Sequence, residues 1–276
     1  YHNPIITGFH PDPSVCRVGN DFYLVNSSFE YFPGIPIYHS TDLTHWEQIG
    51  HVLDRKNQLK LVSGAPNCLG IYAPTIRYHE GIFYCIVTNV GGRSGGNFFV
   101  YTTDPYGRWS NPVKLPFAGI DPSLFFDEDG RIYYTGTDTG IYIAEITFDV
   151  VRNDTPKRNE LPVSIQNVKC GEKHYIWNGS GGNNPEGPHL YRIHDMYYLM
   201  IAEGGTEYCH MVTIARSKNV YGPYEACPHN PVLSNRSTCL NIKAIGHADL
   251  VEDSQGSWWA VCLGIRPLGY PFRHNL

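Results

Sequence analysis

Residues 12–25 read DPSVCRVGNDFYLV and residues 121–135 read DPSLFFDEDGRIYYT. Each is a short apolar run, a turn containing Gly, and a run rich in aromatic and β-branched residues, the pattern of a β-hairpin. Three further stretches follow the same plan with a polar or Gly-bearing turn: APTIRYHEGIFYCI at 73–86, GPHLYRIHDMYYLM at 187–200 and ADLVEDSQGSWWAV at 248–261. Their starts lie about 50 to 65 residues apart, the scale at which self-similarity signals propeller blades or solenoid coils. The simplest reading is an all-β chain, a five-bladed β-propeller with a central active-site channel, forming a single domain over 1–276.

A second sub-repeat suits the outer part of each unit: STDLTHWEQI at 40–49, TTDPYGRWSNPV at 102–113 and SKNVYGPYEAC at 217–227, each a turn followed by an aromatic. The unit that opens at Asp121 departs from this, running into IYIAEITFDV. In a propeller the innermost strand of every blade starts at one end of the channel, so residues far apart in sequence converge there. Aligned on the Pro of DP, AP, DP and GP, the openers are Asp12, Ala73, Asp121 and Gly187, with Glu186 one step before Gly187. The fifth opener reads as Ala248, with His247 one step before it. Asp before Pro is a common turn former. Its recurrence in HPDPSV and GIDPSL, with Glu186 at the matching place in PEGPHL, instead predicts three acids and a histidine at one channel mouth. Two carboxylates flanking a bond are the minimal machinery of glycoside hydrolysis.

Composition narrows the classes. At 276 residues with 42% hydrophobic and 13% aromatic content, the chain can bury a substantial core. Net charge is −5 without a basic run, so nucleic acid is excluded as a partner. No apolar run reaches membrane-spanning length, no signal peptide opens the chain, and it begins at Tyr1 without Met. The 8 cysteines show no CxxC and no zinc-like spacing, and read as reduced thiols, which leans toward the cytoplasm. Glycosylation acceptor tripeptides at Asn26, Asn153, Asn178 and Asn235 point the other way.

NPIITGFHPDPSV, YFPGIPIYHSTDLTHW, YAPTIRYH, GIDPSLF, EGPHLY, IAEGGT followed by TIARS, and GHADLVEDSQGSWWAVCLGIRP occur in this order along nearly the whole chain. Together they resemble glycoside hydrolase family 43, within it the β-xylosidase and α-L-arabinofuranosidase group. The resemblance implies an inverting hydrolase on a five-bladed propeller. By that resemblance Asp12 matches the general base, Glu186 the general acid, and Asp121 the acid that orients the sugar and modulates the acid's pKa. Arg266 matches an arginine near the terminal sugar. Phe29 and Thr206 fall in segments lining the sugar subsite, and Tyr72 stands where many relatives carry Trp, a smaller platform with a hydroxyl. His247 matches a channel histidine that in some relatives meets Ca²⁺ directly or through water. Relatives of this group usually continue beyond an end such as HNL, often into a β-sandwich, an extension absent from these 276 residues.

The expected activity is exo-release of terminal pentoses from xylo-oligosaccharides or arabinoxylan fragments, β-1,4-linked xylose or α-L-arabinofuranose. No cofactor is required for that chemistry; Ca²⁺ in the channel is an accessory expectation, and a homo-oligomer is admitted. Three alternatives compete: α-L-arabinofuranosidase as the main activity, a sugar-binding propeller without catalysis, and a retaining, fructan-cleaving propeller. The binder would not need three acids. The fructan enzymes resemble one another through an Asn-Asp-Pro-Asn opening and a Glu-Cys-Pro segment, where this chain has HPDPS and PEGP. His10 and His189 read as structural.

Overall fold

The computed structural model describes the chain apart from residues 65, 92–94, 268–273 and 276, with residues 274 and 275 described as backbone. Every regular element among the described residues is a strand, and no helix is long and apolar enough to cross a membrane. The strands form five antiparallel sheets, each opened by one of the repeats. The first holds Ser14–Val18 (β1), Asp21–Val25 (β2), Gly34–Ser40 (β3) and Glu47–Leu53 (β4). The second holds Gly70–His79 (β5), Ile82–Val90 (β6), Gly96–Thr102 (β7) and Val113–Lys114 (β8). The third holds Ile120–Phe126 (β9), Ile132–Thr137 (β10), Ile141–Arg152 (β11) and Val163–Cys170 (β12), with His174–Trp177 (β13) also paired to β11. The fourth holds Glu186–Ile193 (β14), Met196–Glu203 (β15), Met211–Ser217 (β16) and Glu225–Ala226 (β17). The fifth holds Lys243–Glu252 (β18), Trp258–Pro267 (β19) and His274–Asn275 (β20).

Within each sheet the chain runs up and down between neighbours, because short polar turns leave no length for a crossover. The outer turns repeat as the sub-repeat implies. Ser40 Oγ accepts from Asp42 N, Thr102 Oγ1 from Asp104 N and Ser217 Oγ from Asn219 N, all at 3.1 Å. A hydroxyl at the end of the third strand thus caps the turn that follows, a local bond these side chains favour.

The sheets pack face to face through five apolar clusters. Val25, Ile37 and Trp109 lie among side chains shared by the first and second sheets, and Ile86, Phe99 and Tyr134 among those shared by the second and third. Tyr133, Ile143 and Leu199 join the third to the fourth, and Met200, Val212 and Ala248 the fourth to the fifth. Val15, Leu24 and Val261 join the fifth back to the first. Each fully buried apolar side chain contributes about 1.5–3 kcal/mol relative to leaving it exposed. The opening strands follow the same order, β1 beside β5, β5 beside β9, β9 beside β14, and β18 beside both β14 and β1.

One irregularity recurs and sets up the site. Asp12, Asp121, Gly187 and His247 have φ of 53°, 53°, 59° and 47°, a left-handed backbone that non-glycine residues seldom adopt. The pairing register shifts at the corresponding places, between Glu186 and His189 in β14 and between Gly246 and Asp249 in β18. A bulge with one left-handed residue turns its side chain out of the strand's alternation. This corrects the alignment of the fifth repeat: His247 and not Ala248 is the counterpart of Asp12, Asp121 and Gly187. The motif HADL therefore matches GPHL and DPSL in frame, with Ala where the others carry Pro.

Candidate active site

The bulged Asp121, Gly187 and His247 and the left-handed Asp12 stand around one small pocket, with Pro13, Ala73, Pro74, Thr75 and His189 completing its wall. His247 Nδ1 lies 3.5 Å from Asp12 Oδ1, and Gly187 N donates to Asp121 Oδ2 at 3.1 Å. Gly187 is required twice over. Its φ is left-handed, and a Cβ there would sit 3.0 Å from His247 Nε2. Glu186 leads into this glycine, so its position depends on the same contacts. The backbone on either side of it is held as well, by Thr137 Oγ1 donating to Pro185 O at 2.8 Å and Thr135 Oγ1 donating to Pro188 O at 3.2 Å.

Burial and mutual repulsion shift the charges of this group. Burial, then the negative charge of Asp121, push Glu186 up to about 7, against an opposing pull from His247. Asp121, itself buried, is raised by burial and by Asp12, while His247 and the Gly187 N–H favour its ionised form. Burial opposes a charge on His247, yet Asp12, Asp121 and Glu186 together raise its pKa. Asp12 keeps 13% of its side chain open to solvent, enough for a water to reach it, and Ser27 Oγ donates to its Oδ2 at 2.6 Å. The arrangement provides a wet carboxylate, a carboxyl protonated near neutral pH, and a third carboxylate between them in the electrostatics. Such separated acid and base assignments mark acid–base chemistry.

A polar layer lies next to the pocket on the strands' following positions. Asp249 is 0% exposed and accepts from Ser14 Oγ at 2.6 Å, Tyr191 Oη at 2.6 Å and both Arg77 guanidinium nitrogens at 2.7 and 3.1 Å. Burial opposes its ionisation, but Arg77 and these donors hold it well below the usual carboxylate range. Burial pushes His189 down to about 3. Its neutral Nδ1 then serves as acceptor for Arg77 at 2.9 Å, a tautomer assigned from that contact. His189 thus has the structural role read from the sequence, and His10 contacts Tyr38 Oη through Nδ1 at 3.0 Å.

The remaining sequence candidates divide. Phe29 and Tyr72 meet, ring centroids 5.3 Å apart, and Tyr72 Oη donates to Cys68 O at 2.8 Å. Burial, Cys68, Asp121 and Asp12 all raise the Tyr72 hydroxyl, which places it beside the acids. Thr206 is exposed on the loop after β15, and the neighbouring Gly205 lies against Asn184, two residues before Glu186. Arg266, near the end of β19, lines a second cavity with Tyr1, Pro4 and His10, and Pro13 borders both this cavity and the pocket of Asp12 and Asp121. Among the described residues no three His, Cys, Asp or Glu side chains are arranged to hold a metal. Sequence reading missed Ser27, hidden in the NSS tripeptide of Asn26. Asn26 itself is 1% exposed and donates to His10 O and Pro11 O, so it is no glycan acceptor in the folded chain.

The family model described as glycosyl hydrolases family 43 matches residues 1–275. A non-reducing end α-L-arabinofuranosidase of Bacteroides ovatus is 49% identical over 278 residues, covering 99% of this chain and 49% of the relative. A β-xylosidase of Bacillus subtilis is 39% identical over 274 residues, covering 96% of this chain and 50% of the relative. Among solved structures, a xylan β-1,4-xylosidase from Bacillus halodurans superposes with a TM-score of 0.83 at 39% identity, over 96% of this chain and 51% of that one. The chain spans about half the length of the curated relatives it matches.

Proposed function

The chain belongs to glycosyl hydrolase family 43, and we propose that it is the catalytic part of an inverting exo-hydrolase that releases terminal pentoses from xylo-oligosaccharides or arabinoxylan fragments. The observation that carries this reading is that Asp12 and Asp121 line one pocket beside Gly187, and that burial and the negative charges of Asp121 and Asp12 push the preceding Glu186 up to about 7. The pocket would lie at the mouth of a five-bladed propeller. The ring of opening strands and the five clusters between successive sheets support that architecture. A pocket at the end of a channel accepts chain ends, which favours exo-action.

In this mechanism Asp12, held by Ser27 and facing solvent, takes a proton from the attacking water. Glu186 delivers its proton to the leaving glycosidic oxygen, and Asp121 keeps Glu186 protonated by repelling its ionised form. His247, whose charged form the three acids favour, opposes the raising of Asp121 and Glu186 by burial. Tyr72 and Phe29 offer ring surface to the sugar. An inverting site leaves room for the water, with the two carboxyl groups about 6.5–9.5 Å apart. Ca²⁺ finds no cage here, since His247 Nδ1 already faces Asp12 and hard cations prefer oxygen ligands. No step depends on it.

Asp12→Ala and Glu186→Ala should each lower turnover of xylobiose by far more than tenfold; loss of less than tenfold, about 1.4 kcal/mol in barrier, would remove the assigned role. Proton NMR of early turnover of a β-xyloside should show α-xylose first, and initial β-xylose would make Asp12 a nucleophile instead. The 49% identical Bacteroides ovatus arabinofuranosidase supports a second reading, arabinofuranose as the main product, as the 39% identical Bacillus subtilis β-xylosidase supports xylose. Hydrolysis of aryl β-xyloside and aryl α-L-arabinofuranoside side by side decides between them.

A further inference from the structure

The mechanism leaves three buried acids unused among the described residues, Asp127, Glu203 and Asp249, and one of them holds the segment that leads to Glu186. Glu203, at the end of β15 in the IAEGGT motif, is 0% exposed. Its carboxylate accepts from Ser180 N at 2.7 Å, Gly182 N at 2.7 Å and Thr213 Oγ1 at 2.5 Å. Ser180 and Gly182 belong to the segment between β13 and β14, NGSGGNNP over 178–185, whose last residue precedes Glu186. A second tie comes from the same strand end, where Gly204 N donates to Asn183 O at 2.7 Å.

A segment with three glycines in five residues has many accessible backbone states. Hydrogen bonds from two of its backbone N–H groups to one buried acceptor restrict it, since leaving those partners unmade in a buried place is costly. The fit is close: a Cβ on Gly179, whose φ is 79°, would lie 2.6 Å from the Glu203 carboxyl carbon. Glu186 must present its proton within hydrogen-bond reach of the leaving oxygen, and small displacements of a catalytic group are costly in rate. We propose that Glu203 is a positioning residue, a buried hydrogen-bonding anchor that fixes the glycine-rich segment and through it the orientation of the general acid Glu186. The proposal rests on the function argued above.

The test uses leaving groups that differ in their need for protonation. Glu203→Gln keeps the volume but turns an amide NH₂ toward one of the two backbone donors. It should lower kcat on xylobiose at least tenfold, lower kcat on an aryl xyloside with a strongly activated leaving group less than threefold, and leave KM within threefold on both. Thr213→Val, which leaves the carboxylate in place and removes one donor, should shift the same ratio in the same direction by less. In a Glu186→Ala background Glu203→Gln should add less than a twofold loss. Equal losses on both substrates, or a further loss without Glu186, would overturn the proposal in favour of a general packing role. The control is Glu186→Ala alone. If that variant shows no leaving-group dependence, the acid assignment itself fails, and the inference built on it is overturned with it.

Discussion

His247 Nδ1 lies 3.5 Å from Asp12 Oδ1, across 235 residues of chain, and this contact joins the fifth sheet to the segment that opens the first. Both residues have a left-handed φ, so the pairing depends on a backbone irregularity repeated at the two ends of the chain. Among the described residues the imidazole is the one basic group in direct contact with the candidate base, and all three acids favour its charged form.

His247→Gln should therefore act on Glu186 as well as on Asp12. His247 pulls the Glu186 pKa down, so removing its charge raises it. The alkaline limb of kcat/KM, which follows loss of the Glu186 proton, should move to higher pH. A profile that stays in place would show that the imidazole is uncharged in the free enzyme.

Asp121→Asn should do the opposite. In the parent, activity should fall as pH rises through about 7, where Glu186 loses its proton. Removing the Asp121 charge takes away repulsion of the ionised form, so the limb should shift to lower pH. Rate profiles measured on a substrate with a poor leaving group report it, since there proton donation is needed.

Stability should carry the same signature. The Glu186 pKa is raised in the folded state above its ordinary 4.5, so the folded form holds the proton more tightly than the unfolded chain does. Its contribution is fully present below about 4.5 and is lost as pH rises through about 7. Glu186→Gln removes the ionisation and should stabilise the protein by about 1–3 kcal/mol at pH 8, with little effect at pH 4. Denaturant midpoints at the two pH values measure the difference; equal effects would contradict the raised pKa.

Asp249→Ala should cost far more than a surface change. It would leave Arg77 buried without its anionic partner, and breaking such a pair typically costs about 3–5 kcal/mol. Asp249 is depressed in the folded state, so its contribution is present above the unfolded pKa, about 4, and is lost as pH falls further. The destabilisation by Asp249→Ala, read from urea unfolding, should be large at pH 7 and shrink below pH 4.

What was legible in the chain is what local physics writes into it. Five apolar–turn–aromatic units predicted five hairpins, and β1–β2, β5–β6, β9–β10, β14–β15 and β18–β19 are those hairpins. Strand alternation and turn chemistry act over a few residues and leave a readable period. The recurrence of an acid before Pro, with Glu186 beside it, singled out three residues that the fold gathers, because equivalent positions in repeated units face the same way. The tertiary structure decided the rest. A one-residue bulge has no periodic signature, so the frame of HADL was read one position off until the left-handed φ of His247 placed it. Asp249, Arg77 and Tyr191 meet across as many as 172 residues, and Ser27, Glu203 and Arg266 owe their surroundings to segments from elsewhere in the chain. A side chain's partners at such separations are fixed by how the sheets pack against one another, and no local preference of Glu203 foretells the glycine-rich segment it holds.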